Sequence, residues 1–221
     1  MAPRGYFRFL RGVAPKLQPF TFLLVLFTLF AVNAAAFNSF LQPEEVEEAY
    51  SLGQTSNHEE LRDFLNQYEH DFKYPSNNSI AFVQSVEFQT PYEQIVLRSL
   101  KTTQYTKFRA SDDYQANPSL VIVRVVVSLK NGYSGPPPSE DSFNVRVSQK
   151  SAIEPRSVTN GVLCEPSNYT DVPTAPDCMA YTREILLRFD ASQFAHGNAT
   201  VRVSLPSQPP VETKYNLDKL K

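Results

Sequence analysis

The sequence contains no tryptophan, and of its 221 residues only seven are glycine, three histidine and two cysteine. Each shortage closes off a kind of chemistry. Seven glycines leave little room for a phosphate-cradling loop, and no Gly-rich, HExxH, CxxC or EF-hand pattern occurs. The histidines, His58, His70 and His196, are scattered among polar residues, and no nucleophile elbow accompanies any of them. A metal site on the two cysteines would lack a third nearby Cys or His. Positive charge is also short: 21 Lys and Arg stand against 23 Asp and Glu. That balance argues against nucleic acid, whose phosphates need clustered cations. No catalytic or metal-ligating residue and no cofactor is assigned.

What the chain does have is an uncharged apolar run, Phe20 to Phe37, reading FTFLLVLFTLFAVNAAAF. Residues 1–19 before it carry Arg4, Arg8, Arg11 and Lys16, and the first acidic residue is Glu44. Crossing a hydrocarbon core of roughly 30 Å takes about 20 helical residues, and Phe20–Leu41 supplies them. Basic residues on one flank and acidic ones on the other predict a transmembrane signal-anchor with a cytosolic leader. Two rivals use the same residues. Ala34-Ala35-Ala36 offers a signal-peptide cleavage site after Ala36, which would release a soluble ligand or inhibitor. Arg4, Arg8 and Arg11 share a helical face opposite Tyr6, Phe9 and Leu10, as in a mitochondrial import leader, and would mark an inner-membrane accessory subunit. Pro3, Gly5, Gly12 and Pro15 oppose that helix.

Three sequons favour the secretory route: Asn77-Asn78-Ser79, Asn168-Tyr169-Thr170 and Asn198-Ala199-Thr200. An oxidising compartment also gives Cys164 and Cys178 a role, because a disulfide closing about 15 residues contributes roughly 3 kcal/mol in the chain-entropy model. Without the four leader cations the remainder holds 17 Lys and Arg against 23 Asp and Glu, a net of −6.

Beyond the apolar run, residues 43–73 predict a helical stalk or appendage. Pro43 can open a helix whose first turns hold Glu44, Glu45, Glu47 and Glu48, and Gly53 ends it. Ser56-x-x-Glu59 has capping-box spacing. Leu61, Phe64, Leu65, Tyr68 and Phe72 then form one apolar stripe, about four turns long, that packs on the following domain. Tyr50, after Glu47 and Glu48, has the acidic flank of a sulfation site.

From Pro75 the pattern changes to period two. Residues 80–88 read as a half-buried strand. Residues 94–108 predict another strand, with a helix over 92–101 as the competing assignment. Leu120–Leu129, apolar on nearly both faces, is the expected central strand. Strands also fit 143–147, 184–189 and 199–205, whereas 151–180 predicts a long loop and 207–221 a flexible tail. Asp112-Asp113, Glu140-Asp141 and Asp177 fall in expected loops, where two adjacent acids supply too few oxygens for calcium.

The expected fold is mainly β: an antiparallel β-sandwich, immunoglobulin-like or similar, over residues 76–206, preceded by a transmembrane helix and a short helical segment. The immunoglobulin Cys–Trp–Cys signature itself is absent. The expected function is non-catalytic. A single-pass type II membrane glycoprotein, held in the membrane by Phe20–Leu41, presents its lumenal or extracellular domain to another protein. The competing enzyme reading needs a cleft lined by carboxyls with perturbed pKa values.

Overall fold

A computed structural model describes residues 40–73, 81–102, 104–129, 143–166, 178–206 and 208–221, without the side chains of 162–166 and 178–181. The apolar run Phe20–Phe37 lies outside these residues, as do Asn77, Asn168, Glu140-Asp141 and Asp177. Among the described residues no helix is long and apolar enough to cross a membrane.

Two antiparallel sheets carry the fold. The first contains β1 (Glu69–Asp71), β2 (Ala81–Gln89), β3 (Leu120–Leu129), β6 (Ser157–Pro166) and β7 (Cys178–Asp190), in the order β1-β2-β3-β7-β6. The second contains β4 (Asn144–Ser148), β5 (Ala152–Ile153), β8 (Asn198–Ser204) and β9 (Val211–Asn216), in the order β5-β4-β8-β9. β3 lies at the centre of its sheet. Its residues Val121, Val123, Val125, Val127 and Leu129 alternate onto one buried face, as a period of two requires. Ile185, Leu187 and Phe189 extend that face along β7, where Val123 pairs with Leu187 and Val125 with Ile185.

One apolar cluster joins the two sheets, since Val147, Ala199, Val201, Val203 and Tyr215 of the second belong to the same core. Tyr215 reaches across it, and its hydroxyl donates to the Val86 carbonyl at 2.6 Å. Phe88, Phe189, Phe194 and Tyr215 form an aromatic chain with centroids 5.2–5.6 Å apart. Such pairs add about 0.5–1.5 kcal/mol each beyond their buried area.

Four helices form a second core. They are α1 (Pro43–Gly53), α2 (His58–Leu65), α3 (Pro91–Lys101) and α4 (Lys107–Ala116). Leu41, Val46, Ala49, Leu61, Tyr92, Ile95, Val96, Tyr105 and Ala110 bury one another there. Gly53 makes the closest approach: a Cβ at that position would lie 1.9 Å from Ser99 Oγ and 2.4 Å from the Val96 carbonyl oxygen. Residues 43–65 are thus integral to a helical layer.

Several expectations are corrected. In place of the strand expected over 94–108, the competing assignment, a helix over 92–101, matches α3, and Lys107 and Phe108 open α4. Thr90 and Thr106 cap them, accepting hydrogen bonds from the amides of Glu93 and Arg109 at 3.3 Å each, and Pro91 sits at the start of α3. Tyr92, Ile95, Val96 and Ser99 are buried at helical spacing, so tertiary packing overrides the β-branched composition. Asp112 and Asp113 therefore lie on α4 and not in a loop. The stripe from Leu61 to Phe72 is also broken. Asn57, not Ser56, caps α2, which ends at Leu65; residues 69–71 then pair with β2. The loop expected at 151–180 contains β5, β6 and the start of β7. Asn160 and Gly161 lie inside β6, an edge strand of the first sheet. The tail is no tail. Val211–Asn216 is strand β9 and Leu217–Lys219 a 3-10 turn, and Thr213, Tyr215, Leu217 and Leu220 are buried between polar neighbours.

Candidate functional site

The largest electrostatic anomaly is a group of carboxyls on the face of the first sheet that points away from the shared core. Register places Glu87 between Glu69 on β1 and Arg124 on β3. One residue after β2, Thr90 starts α3, and the first turn of that helix puts Glu93 beside Glu87. Glu93 is 0% exposed, and neither of its oxygens has a hydrogen-bond partner. Burial, followed by the charge of Glu87, holds its carboxyl well above the usual carboxylate range. Glu93 therefore keeps its proton to higher pH than an ordinary carboxyl.

Glu87 is also raised by burial, but it has compensation. Gln89 Nε2 donates to it at 2.6 Å, and Arg124 Nη1 lies 3.5 Å away. Arg124 bridges onward, its Nε donating to Glu184 at 2.6 Å. One guanidinium thus ties β2, β3 and β7 together across the outer face. Nearby, burial raises the Tyr68 and Tyr215 hydroxyls. Tyr68 Oη accepts the Lys221 amide at 2.9 Å, which pins the end of the β9 segment to the turn before β1. Chemically the group can store a proton. Neither Glu87 nor Glu93 lines the two grooves that follow.

The first groove, about 590 Å³, runs between α1 and α2. Phe64 and Tyr92 form its aromatic part, with centroids 5.7 Å apart, and Glu48, Glu60 and Asp63 line it. The Lys221 ammonium sits within it, 5.3 Å from the Tyr92 ring centroid and 2.7 Å from Glu48 Oε1. The second groove, about 350 Å³, opens between β4–β5 of one sheet and β6–β7 of the other. Phe143, Val145, Val158, Ile185 and Leu187 line it, with Asn144, Glu154 and Asn160 at the rim. Val158 pairs with Leu187 on the core-facing side of edge strand β6, yet is 53% exposed. Beside Phe143, the Arg183 guanidinium lies 5.4 Å from the ring centroid.

The residues singled out from sequence are spread over the domain. Asn198 begins β8 and is exposed, directly after Gly197, whose φ of 99° suits glycine alone. Cys164 and Cys178 lie on the adjacent strands β6 and β7, opposite Tyr181 and Pro166 respectively; their side chains are outside the described set. His58 opens α2 and His70 lies on β1, its ring 5.0 Å from that of Tyr215. His196 pairs with Asp218 at 2.7 Å, and this bond lowers the Asp218 pKa. Among the described residues no three His, Cys, Asp or Glu side chains are grouped to hold a metal ion. Sequence reading missed Glu87, Glu93 and the Glu48–Lys221–Tyr92 contact. A signal existed only for the first two: a carboxylate inside an apolar strand, and Thr90-Pro91-x-Glu93 at helix-cap spacing.

Compared with known proteins, the chain matches no family model and no curated protein sequence.

Proposed function

We propose that this is a single-pass type II membrane glycoprotein, anchored by Phe20–Leu41, whose exported domain is a β-sandwich that recognises another protein in a membrane complex. The observation that carries this reading is the apolar groove between the sheet edges. A valine on the inward face of an edge strand is half in water there, above a floor of Val145, Ile185 and Leu187. Side chains with that alternation belong under a covering partner, and an edge unpaired among the described residues supplies backbone donors and acceptors beside them. The three sequons, the paired cysteine count and the basic leader support the exported placement.

Introducing a charge at Val158 tests this reading. Val158→Glu leaves the fold intact because the side chain is already exposed, and weakens docking by about 1–3 kcal/mol, roughly 5- to 150-fold. After mild solubilisation the native protein is expected in a species larger than one chain, and the variant at the mass of one chain with an unchanged Tm. A native protein that runs alone, or a variant that stays in the complex, contradicts the proposal.

A further inference from the structure

We infer that the groove between α1 and α2 is a binding site for a lysine side chain of another polypeptide, filled in this conformation by the protein's own Lys221. The inference rests on the recognition reading above but concerns a different surface.

Three features converge there. The first is charge: residues 43–65, which supply α1 and α2, contain seven acids against the single cation Arg62. Glu48, Glu60 and Asp63 from that set line the groove. The second is the aromatic pair Phe64–Tyr92, because a ring face attracts a cation within about 6 Å of its centroid. The third is that an ammonium already occupies the place: Lys221 Nζ is 5.3 Å from the Tyr92 centroid and bonded to Glu48. The resident side chain thus displays the ligand chemistry, a primary ammonium on a flexible apolar stem laid over an aromatic face.

The resident contact is also weak enough to be exchanged. The Lys221 and Glu48 side chains are 58% and 56% exposed, and exposed ion pairs contribute little against solvent and salt. The groove is far larger than one ammonium, and two further acids line it: Glu60, which accepts from Asn57 at 3.2 Å, and Asp63, 3.6 Å from Arg62. Lys221 therefore acts as a competitor that a partner must displace. Removing it should strengthen binding and removing Glu48 should weaken it.

The test uses the full chain in detergent and fluorescence anisotropy of a labelled Gly-Ser-Gly-Lys-Gly-Ser-Gly peptide, with the Gln-for-Lys peptide as control. Lys221→Gln is expected to bind the lysine peptide about five-fold more tightly than the native chain, the factor equivalent to losing about 1 kcal/mol of self-contact. The double variant Lys221→Gln/Glu48→Gln should lose that gain, and the Gln peptide should not bind any form. Both substituted side chains are exposed, and unchanged thermal melts confirm that the variants fold. A Lys221→Gln chain that binds no better than native, or equal binding of the two peptides, overturns the assignment. Failure here with a Val158→Glu variant that still dissociates the complex removes only this site; failure of both removes the recognition reading.

Discussion

Glu93→Gln converts the buried acid into an amide of the same shape, and its effect on stability must depend on pH. In the folded chain burial holds the carboxyl well above its ordinary value of 4.5, while in the unfolded chain it titrates normally. Below the unfolded pKa both states carry the proton and the group costs nothing. As pH rises, the unfolded chain releases its proton first, so the native protein loses stability until the pH reaches the folded pKa. Each unit separating the two pKa values removes about 1.4 kcal/mol. Glutamine does not titrate, so the Gln variant lacks this loss. Near pH 4, where the native chain carries the neutral acid in both folded and unfolded states, the two proteins are expected to differ least. With rising pH the difference moves steadily in favour of the variant. Urea unfolding of both proteins at several pH values between about 4 and 8 reads this directly. A variant-minus-native difference that changes by less than about 0.5 kcal/mol over that range refutes the reasoning, since this is the scatter of neutral surface changes.

Two further substitutions probe the packing on which the grooves depend. Gly53→Ala drives a methyl into Ser99 and the Val96 carbonyl, separating α1 from α3 at an expected cost of about 1–3 kcal/mol in thermal unfolding. Tyr215→Phe leaves the buried Val86 carbonyl without its 2.6 Å donor, and should cost about 1–3 kcal/mol in urea titration without altering the far-UV spectrum.

Much of the β framework was legible from residue order. Leu120–Leu129 shows its central position because a strand covered on both sides reads as nearly continuous valine and leucine. Strands β2, β4 and β8 show period two within a residue or two of their observed ends. The misreadings have specific causes. In α3 the threonine cap and Pro91 marked a helix start, but Ile95, Val96 and the threonines beyond them spoke for a strand, and only packing against α1 decides between the two. β9 was hidden because Glu212, Lys214 and Asn216 alternate with the buried Thr213 and Tyr215, so its hydropathy is low although its period is right. The site was harder still. Glu87 gives only a weak signal, a carboxylate inside an apolar strand, and nothing local reveals that a helix will cover that face. Lys221 and Glu48 are 173 positions apart, and no local pattern reaches across that separation.

The central claim, an anchored domain in an oxidising space across the membrane, is tested most directly by one gel. The full chain is expressed in cells, extracted with alkaline carbonate, and run with and without a glycosidase that removes N-linked sugars. The account predicts a carbonate-resistant protein whose mobility increases on digestion, through Asn77, Asn168 and Asn198, and whose Cys164 and Cys178 resist alkylation until reduced. An unshifted band, with both thiols free to alkylate, contradicts it.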